Sequence, residues 1–155
     1  MDDAKPSGTG GDVVTSRGLK FPANPEILKG RVLKLLRNNA YEEKESVAAL
    51  RVVKPEDTVL ELGGGIGYMS TLVAVKRRVR AVHSFEANPH LIPYIRSVHA
   101  ANGLDNAHVT NAILGKRKGS VDFYVRSNLL GSSLSLLEDE TDPPVPVKVE
   151  VLNAG

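Results

Sequence analysis

Seven consecutive residues carry the densest chemistry of this chain: Glu61-Leu62-Gly63-Gly64-Gly65-Ile66-Gly67. Thr58 to Leu62 reads as a short buried strand, and Tyr68 to Lys76 reads as a helix. Glycines between them let the chain turn sharply and let a ligand approach its backbone. The free amides at the following helix N-terminus favour a negative or polar ligand group. Glu86 ends the next predicted strand, nineteen residues past Gly67. An acid there accepts hydrogen bonds from both ribose hydroxyls of a nucleoside. Strand, glycine turn, helix, strand and acid together make a nucleoside-cofactor half-site at the carboxyl ends of the strands.

The glycine spacing narrows the cofactor. A dinucleotide fingerprint runs Gly-x-Gly-x-x-Gly. Counted from Gly63, its sixth position is Tyr68; counted from Gly64, its third is Ile66. The pattern present is acid-x-Gly-x-Gly-x-Gly, with Glu61 at the strand end. An acid pointing into the site suits a cationic amino group better than a pyrophosphate. That favours S-adenosylmethionine, with an NAD-dependent enzyme as the alternative.

The elements that must hold these residues alternate. Asn24-Pro25-Glu26 signals a helix start, with Leu28, Val32, Leu35 and Leu36 on one face up to Asn38-Asn39. A second helix is expected from Tyr41 to Val53, with Val47 and Leu50 inward, ended by Lys54-Pro55. After the glycine turn come a strand over residues 80–85, a helix from Asn88-Pro89 to Asn102-Gly103, and a strand from His108 to Leu114. Alternation of this kind implies right-handed crossovers and a parallel sheet, an α/β fold. Beyond it, Gly115 to Gly119 is a tight turn, and Ser120 to Arg126 a strand with Val121, Phe123 and Val125 on one face. Asn128 to Leu137 reads as loop or a short helical turn, and Val147 to Val151 as one more strand. Residues 1–20 hold four glycines, a proline and small polar residues, so a disordered arm is expected there and one folded unit over 21–155.

Composition excludes several functions. The chain has 155 residues and no cysteine, which removes a disulfide scaffold, a thiolate zinc site and a cysteine nucleophile. It has no tryptophan, and a net charge of +2 does not call for nucleic acid. Lys76-Arg77-Arg78-Val79-Arg80 and Lys116-Arg117-Lys118 read as a solvated helix end and a solvated hairpin tip rather than RNA contacts. Histidines 83, 90, 99 and 108 have no metal-ligand spacing, so no metal is expected. His99 is a weak candidate general base, and no catalytic residue is assigned. No apolar run approaches the ~20 residues a membrane span needs. The acidic start lacks a signal core, so a cytoplasmic protein acting on a small molecule is expected.

Taken together, residues 58–114 resemble the class I S-adenosylmethionine-dependent methyltransferases, and more narrowly the FkbM type. The matching pieces, spanning about residues 24–152, are Tyr41-Glu42 with Glu45, Val59 to Gly67, Phe85-Glu86-Ala87-Asn88-Pro89, Asn102-Gly103-Leu104, Asn111-Ala112, Phe123-Tyr124-Val125 and Ser132-Ser133-Leu134. The resemblance implies a Rossmann-like, mostly parallel sheet. It implies that Glu61 and the turn of Gly63, Gly64, Gly65 and Gly67 hold the methionine moiety. Glu86 would hold the ribose hydroxyls, Ala87 would lie against the adenine, and Asn111 would meet the adenine amino group or else cap a turn. Tyr41 would close over the methionine end. The implied reaction is O-methylation of a hydroxyl on a sugar or polyketide-like molecule. The family's next core strand, with its Asp-(Ile/Val)-Glu-Gly-x-Glu type motif, does not occur here. The fold is therefore expected to be incomplete at its C-terminal side, with the first strand an exposed apolar edge through which copies could pair. The corresponding alternative is a non-catalytic or truncated cofactor-binding module that needs a further segment or partner.

Overall fold

A computed structural model describes residues 11–132, 134 and 141–154. It opens with an antiparallel hairpin, β1 (Val13–Ser16) and β2 (Leu19–Pro22). This corrects the arm expected over residues 1–20, of which 1–10 lie outside the described residues. Arg17 and Gly18 make the turn at φ +50° and +79°, the pairing that matches strand twist. Leu19 and Phe21 on β2 are fully buried. Asn102 fastens β2 down: its Oδ1 accepts the Lys20 N–H at 2.9 Å, and its Nδ2 donates to the Lys20 carbonyl at 2.7 Å.

The expected first helix is shorter than its sequence pattern. The Asn24 Oδ1 accepts the Glu26 and Ile27 N–H groups, capping a turn and not the helix. Gly30, at φ +51°, separates that turn from α1 (Gly30–Arg37). Leu28 and Leu36 are buried and Val32 and Leu35 half-buried, as the pattern requires. In α2 (Glu43–Val52) the buried residue is Ser46, whose hydroxyl donates to the Glu42 carbonyl, while Val47 is exposed. The inward placing expected of Val47 is thus corrected.

The heart of the molecule is a β-α-β-α-β run. β3 (Thr58–Leu62), α3 (Tyr68–Arg77), β4 (Ala81–Glu86), α4 (Ile92–Ala101) and β5 (Ala107–Asn111) follow in order. The three strands are parallel, in the order β3-β4-β5. That is the strand order of one nucleotide-binding half of a doubly wound sheet. Asn102 caps α4, and Gly103 follows at φ +66°. Leu72, Ile92, Ile95 and Val98 of the two helices pack with Val109 in the main core.

The strand expected over 108–114 breaks at Ala112. Its second part, β6 (Ile113–Gly115), joins another sheet in the order β6-β8-β7, with β7 (Gly119–Val125) and β8 (Val145–Asn153) antiparallel. A 3-10 turn, Leu129–Gly131, lies between β7 and β8. β3 is unpaired on its outer side among the described residues, and Leu60 and Leu62 there are 58% and 66% exposed. Among the described residues no helix is long and apolar enough to cross a membrane.

Candidate functional site

The glycine turn divides its work between two sides. Gly63, Gly65 and Gly67 sit at φ +85°, +54° and +73°, where side chains are disfavoured. A Cβ on Gly63 or Gly65 would meet nothing within 4 Å, so these two open onto free space. A Cβ on Gly64 would lie 3.0 Å from Ile95 Cδ1, and one on Gly67 3.2 Å from Ile95 Cγ2. Gly64 and Gly67 therefore admit α4, while Gly63 and Gly65 leave room for a ligand. The Gly63 N–H donates to the Phe85 carbonyl at 2.8 Å, which ties the turn to the end of β4.

The space in front of Gly63 and Gly65 is a cavity of about 360 Å³. Glu86 and Ala87 line it, with Leu62, Phe85 and Leu91. Its far wall comes from Ala112 to Leu114, Phe123, Leu129, Leu130 and Ser132. Glu86 is 7% exposed, and backbone amides hold its carboxylate. Oε2 accepts the Gly65 N–H at 2.9 Å and Oε1 the Asn88 N–H at 2.7 Å. Each oxygen keeps a further lone pair for a ligand hydroxyl.

Glu61 sits one pleat behind this cavity and does not line it. Its register partner on β4 is Ser84, whose hydroxyl donates to the Glu61 carboxylate. Burial raises the Glu61 carboxyl to about 7; the Ser84 and Ser70 hydrogen bonds pull against that, and Glu42 and Glu86 add to it. Asn111 is the register partner of Glu86. Its Nδ2 donates to the Glu86 and Ala87 carbonyls at 2.9 and 3.0 Å, so its amide clamps the end of β4, and Asn111 is not among the residues that line the cavity. Tyr41 meets Tyr68 edge-on with ring centres 5.2 Å apart, and Phe21 stacks on the same Tyr68 at 5.6 Å. Burial, with Glu42 and Tyr68 nearby, raises the Tyr41 phenol above its ordinary range. Of the nine residues read from the sequence, the fold thus brings Gly63, Gly65, Glu86 and Ala87 to the cavity. Gly64, Gly67, Glu61, Asn111 and Tyr41 are not among the residues that line it.

Asn88 matters more than the sequence suggested. Its side chain is 1% exposed and spans two parts of the site. Nδ2 donates to the Leu129 carbonyl at 2.9 Å and contacts Ser132 Oγ at 3.4 Å, while Oδ1 accepts the His90 N–H. Asn88 thereby joins the Glu86 turn to the wall across the cavity. The Asn-Pro pair shows a helix start in sequence, yet nothing local shows a partner over forty residues away. Ser133, part of the motif read beside Ser132, lies outside the described residues.

No protein-family model matches the chain, and no curated protein matches it significantly. Solved structures do match in part. One is a Pyrococcus horikoshii protein provisionally described as a transferase: 24% identity, TM-score 0.48, covering 64% of this chain and 35% of that one. Another is TYW2 of P. horikoshii, solved with MeSAdo: 21% identity, TM-score 0.45, covering 64% and 34%. A third is MtNAS, solved with MTA and tNA: 22% identity, TM-score 0.40, covering 55% and 34%. The chain spans about a third of the length of these structures.

Proposed function

We propose that this chain is the cofactor-binding part of an S-adenosylmethionine-dependent methyltransferase. One observation carries the reading: a buried carboxylate, Glu86, faces a cavity that the side-chain-free Gly63 and Gly65 open to a ligand. The residues fit a nucleoside. Glu86 would accept the two ribose hydroxyls while the Gly65 and Asn88 amides hold it still. The apolar walls at Ala87, Leu91, Phe123 and Leu129 suit a flat base. When bound, S-adenosylmethionine supplies an electrophilic methyl on sulfur. The chain's task is to bind, orient and exclude water, since methyl transfer depends chiefly on in-line positioning. The sequence resemblance extends the proposal to O-methylation of a sugar or polyketide-like hydroxyl.

A second reading is a cofactor-binding module that acts with a further segment or a second copy. The exposed Leu60 and Leu62 on the open edge of β3 favour it. Light scattering checks pairing between copies; a strictly monomeric chain counts against that form of it.

Calorimetric titration with S-adenosylhomocysteine and with NADH tests the cofactor. Binding of S-adenosylhomocysteine alone is expected, and binding of NADH alone overturns the proposal. Glu86→Ala should weaken S-adenosylhomocysteine by about tenfold or more, as hydroxyl contacts to a carboxylate are worth roughly 1.5–3 kcal/mol.

A further inference from the structure

We propose that His99 is a positioning residue that holds the glycine turn in shape through Ser70. Two residues of α4, one helical turn apart, face the turn: Ile95 and His99. Ile95 fills the space that side chains on Gly64 and Gly67 would need. His99 reaches further. Its Nε2 lies 2.9 Å from Ser70 Oγ, and that hydroxyl donates to the Gly67 carbonyl at 3.3 Å. With the Ser70 proton directed at Gly67, Nε2–H of His99 is the donor to Ser70 Oγ. Both side chains are buried, His99 at 4% and Ser70 at 1% exposure.

Ser70 stands where three parts of the site meet. Its main chain lies close enough to the Glu61 carboxyl to pull against that group's rise in pKa. Its hydroxyl bonds Gly67, the N-cap of α3, and accepts from His99 on α4. The Gly67 carbonyl also receives the Thr71 N–H at 3.3 Å, so the relay ends on the first turn of α3. Burial, reinforced by nearby His108, keeps the imidazole neutral down to about pH 4. The arrangement suits a fixed strut: Nε2 is engaged by Ser70, and His99 is not among the residues that line the cavity. His99 therefore sets the direction of the turn's amides rather than touching the ligand.

The structural claim concerns the free chain; its consequence for a ligand rests on the cofactor reading above. Three variants separate the two. His99→Leu removes the donor and keeps the bulk, His99→Gln keeps an N–H donor, and Ser70→Ala removes the relay. Amide hydrogen exchange across residues 63–71 of the ligand-free chain reads the strut directly. His99→Leu should speed that exchange by about tenfold, the worth of one hydrogen bond, with β7 and β8 unchanged. His99→Gln should return it to within about threefold of the parent, and His99→Leu should add nothing to Ser70→Ala. S-adenosylhomocysteine affinity should follow the same order. The strut is overturned if His99→Gln behaves as His99→Leu, if the two losses add fully, or if the turn's exchange does not change. If His99→Leu fails to fold, comparing Ser70→Ala with His99→Gln on the same exchange reading decides it. A parent chain that exchanges as expected but binds no S-adenosylhomocysteine overturns the cofactor reading and leaves the strut standing.

Discussion

On one face of the β3-β4-β5 sheet, Val82, Ser84, Glu86 and Val109 are buried against α3 and α4. On the other face, Leu60, Leu62, His83 and His108 meet solvent. His83 and His108 are register partners there, their rings stacked 5.3 Å apart. The same strands make both faces, and the two-residue repeat of the pleat alone separates them. The difference teaches where chemistry can be built. On the covered face a carboxyl loses water and gains fixed partners, so Glu61 rises to about 7 and Glu86 is held by two amides. On the open face side chains keep their water and have fewer fixed neighbours. Parallel sheets are normally covered on both faces, which makes the exposed leucines unusual.

The largest test of the contrast strikes a close approach on the covered side, at a glycine that also has a left-handed backbone. Gly67→Val combines a left-handed backbone with a collision at Ile95. A loss of about 4 kcal/mol in urea unfolding is expected, from backbone strain plus overpacking. A loss below about 1 kcal/mol would mean that α4 yields easily and that the turn is not set by it.

Glu61 gives the next effect, through pH. Its folded value of about 7 lies above the ordinary 4.5, so the folded chain holds this proton more tightly. The resulting stability is fully present below pH 4.5 and is lost as pH rises through 7. The parent should therefore lose about 3 kcal/mol relative to Glu61→Gln between about pH 4 and about pH 8. Parallel urea midpoints for the two proteins would contradict the burial of this carboxyl.

The smallest effect compares the faces directly. Val82→Ala, at a fully buried position, should cost about 2 kcal/mol. Leu60→Ala, at a position 58% exposed, should change stability by less than about 0.5 kcal/mol. Equal losses would show that Leu60 is covered in solution, by a second copy or another segment.

Much of the central run was legible from local pattern. β3 spans the five residues expected, and the glycine turn and Glu86 stand where their spacing put them. Short apolar runs and turn glycines are local signals, and the local structure obeys them; the two Asn-Pro pairs cap turns ahead of α1 and α4 instead of the helices themselves. The hairpin of Val13 to Pro22 carried a signal too, alternating Val14, Leu19 and Phe21 around Arg17-Gly18. Glycine-rich surroundings masked it, and its stability comes from burial against α3 and α4, which the segment does not encode alone. Asn111 and Asn88 were visible as polar residues at element ends. Their partners, the Glu86 and Leu129 carbonyls, come from neighbouring strands and a distant turn.

The sequence by itself determined the order of elements, the place of the turn and the identity of the acids beside it. It did so because these depend on neighbours within a few residues. Tertiary structure decided which residues reach the cavity, which glycines face α4, and which carboxyl is desolvated. It also turned His99 from an isolated imidazole into a partner of Ser70, because hydrogen bonds and burial are settled by elements that meet only after the chain has folded.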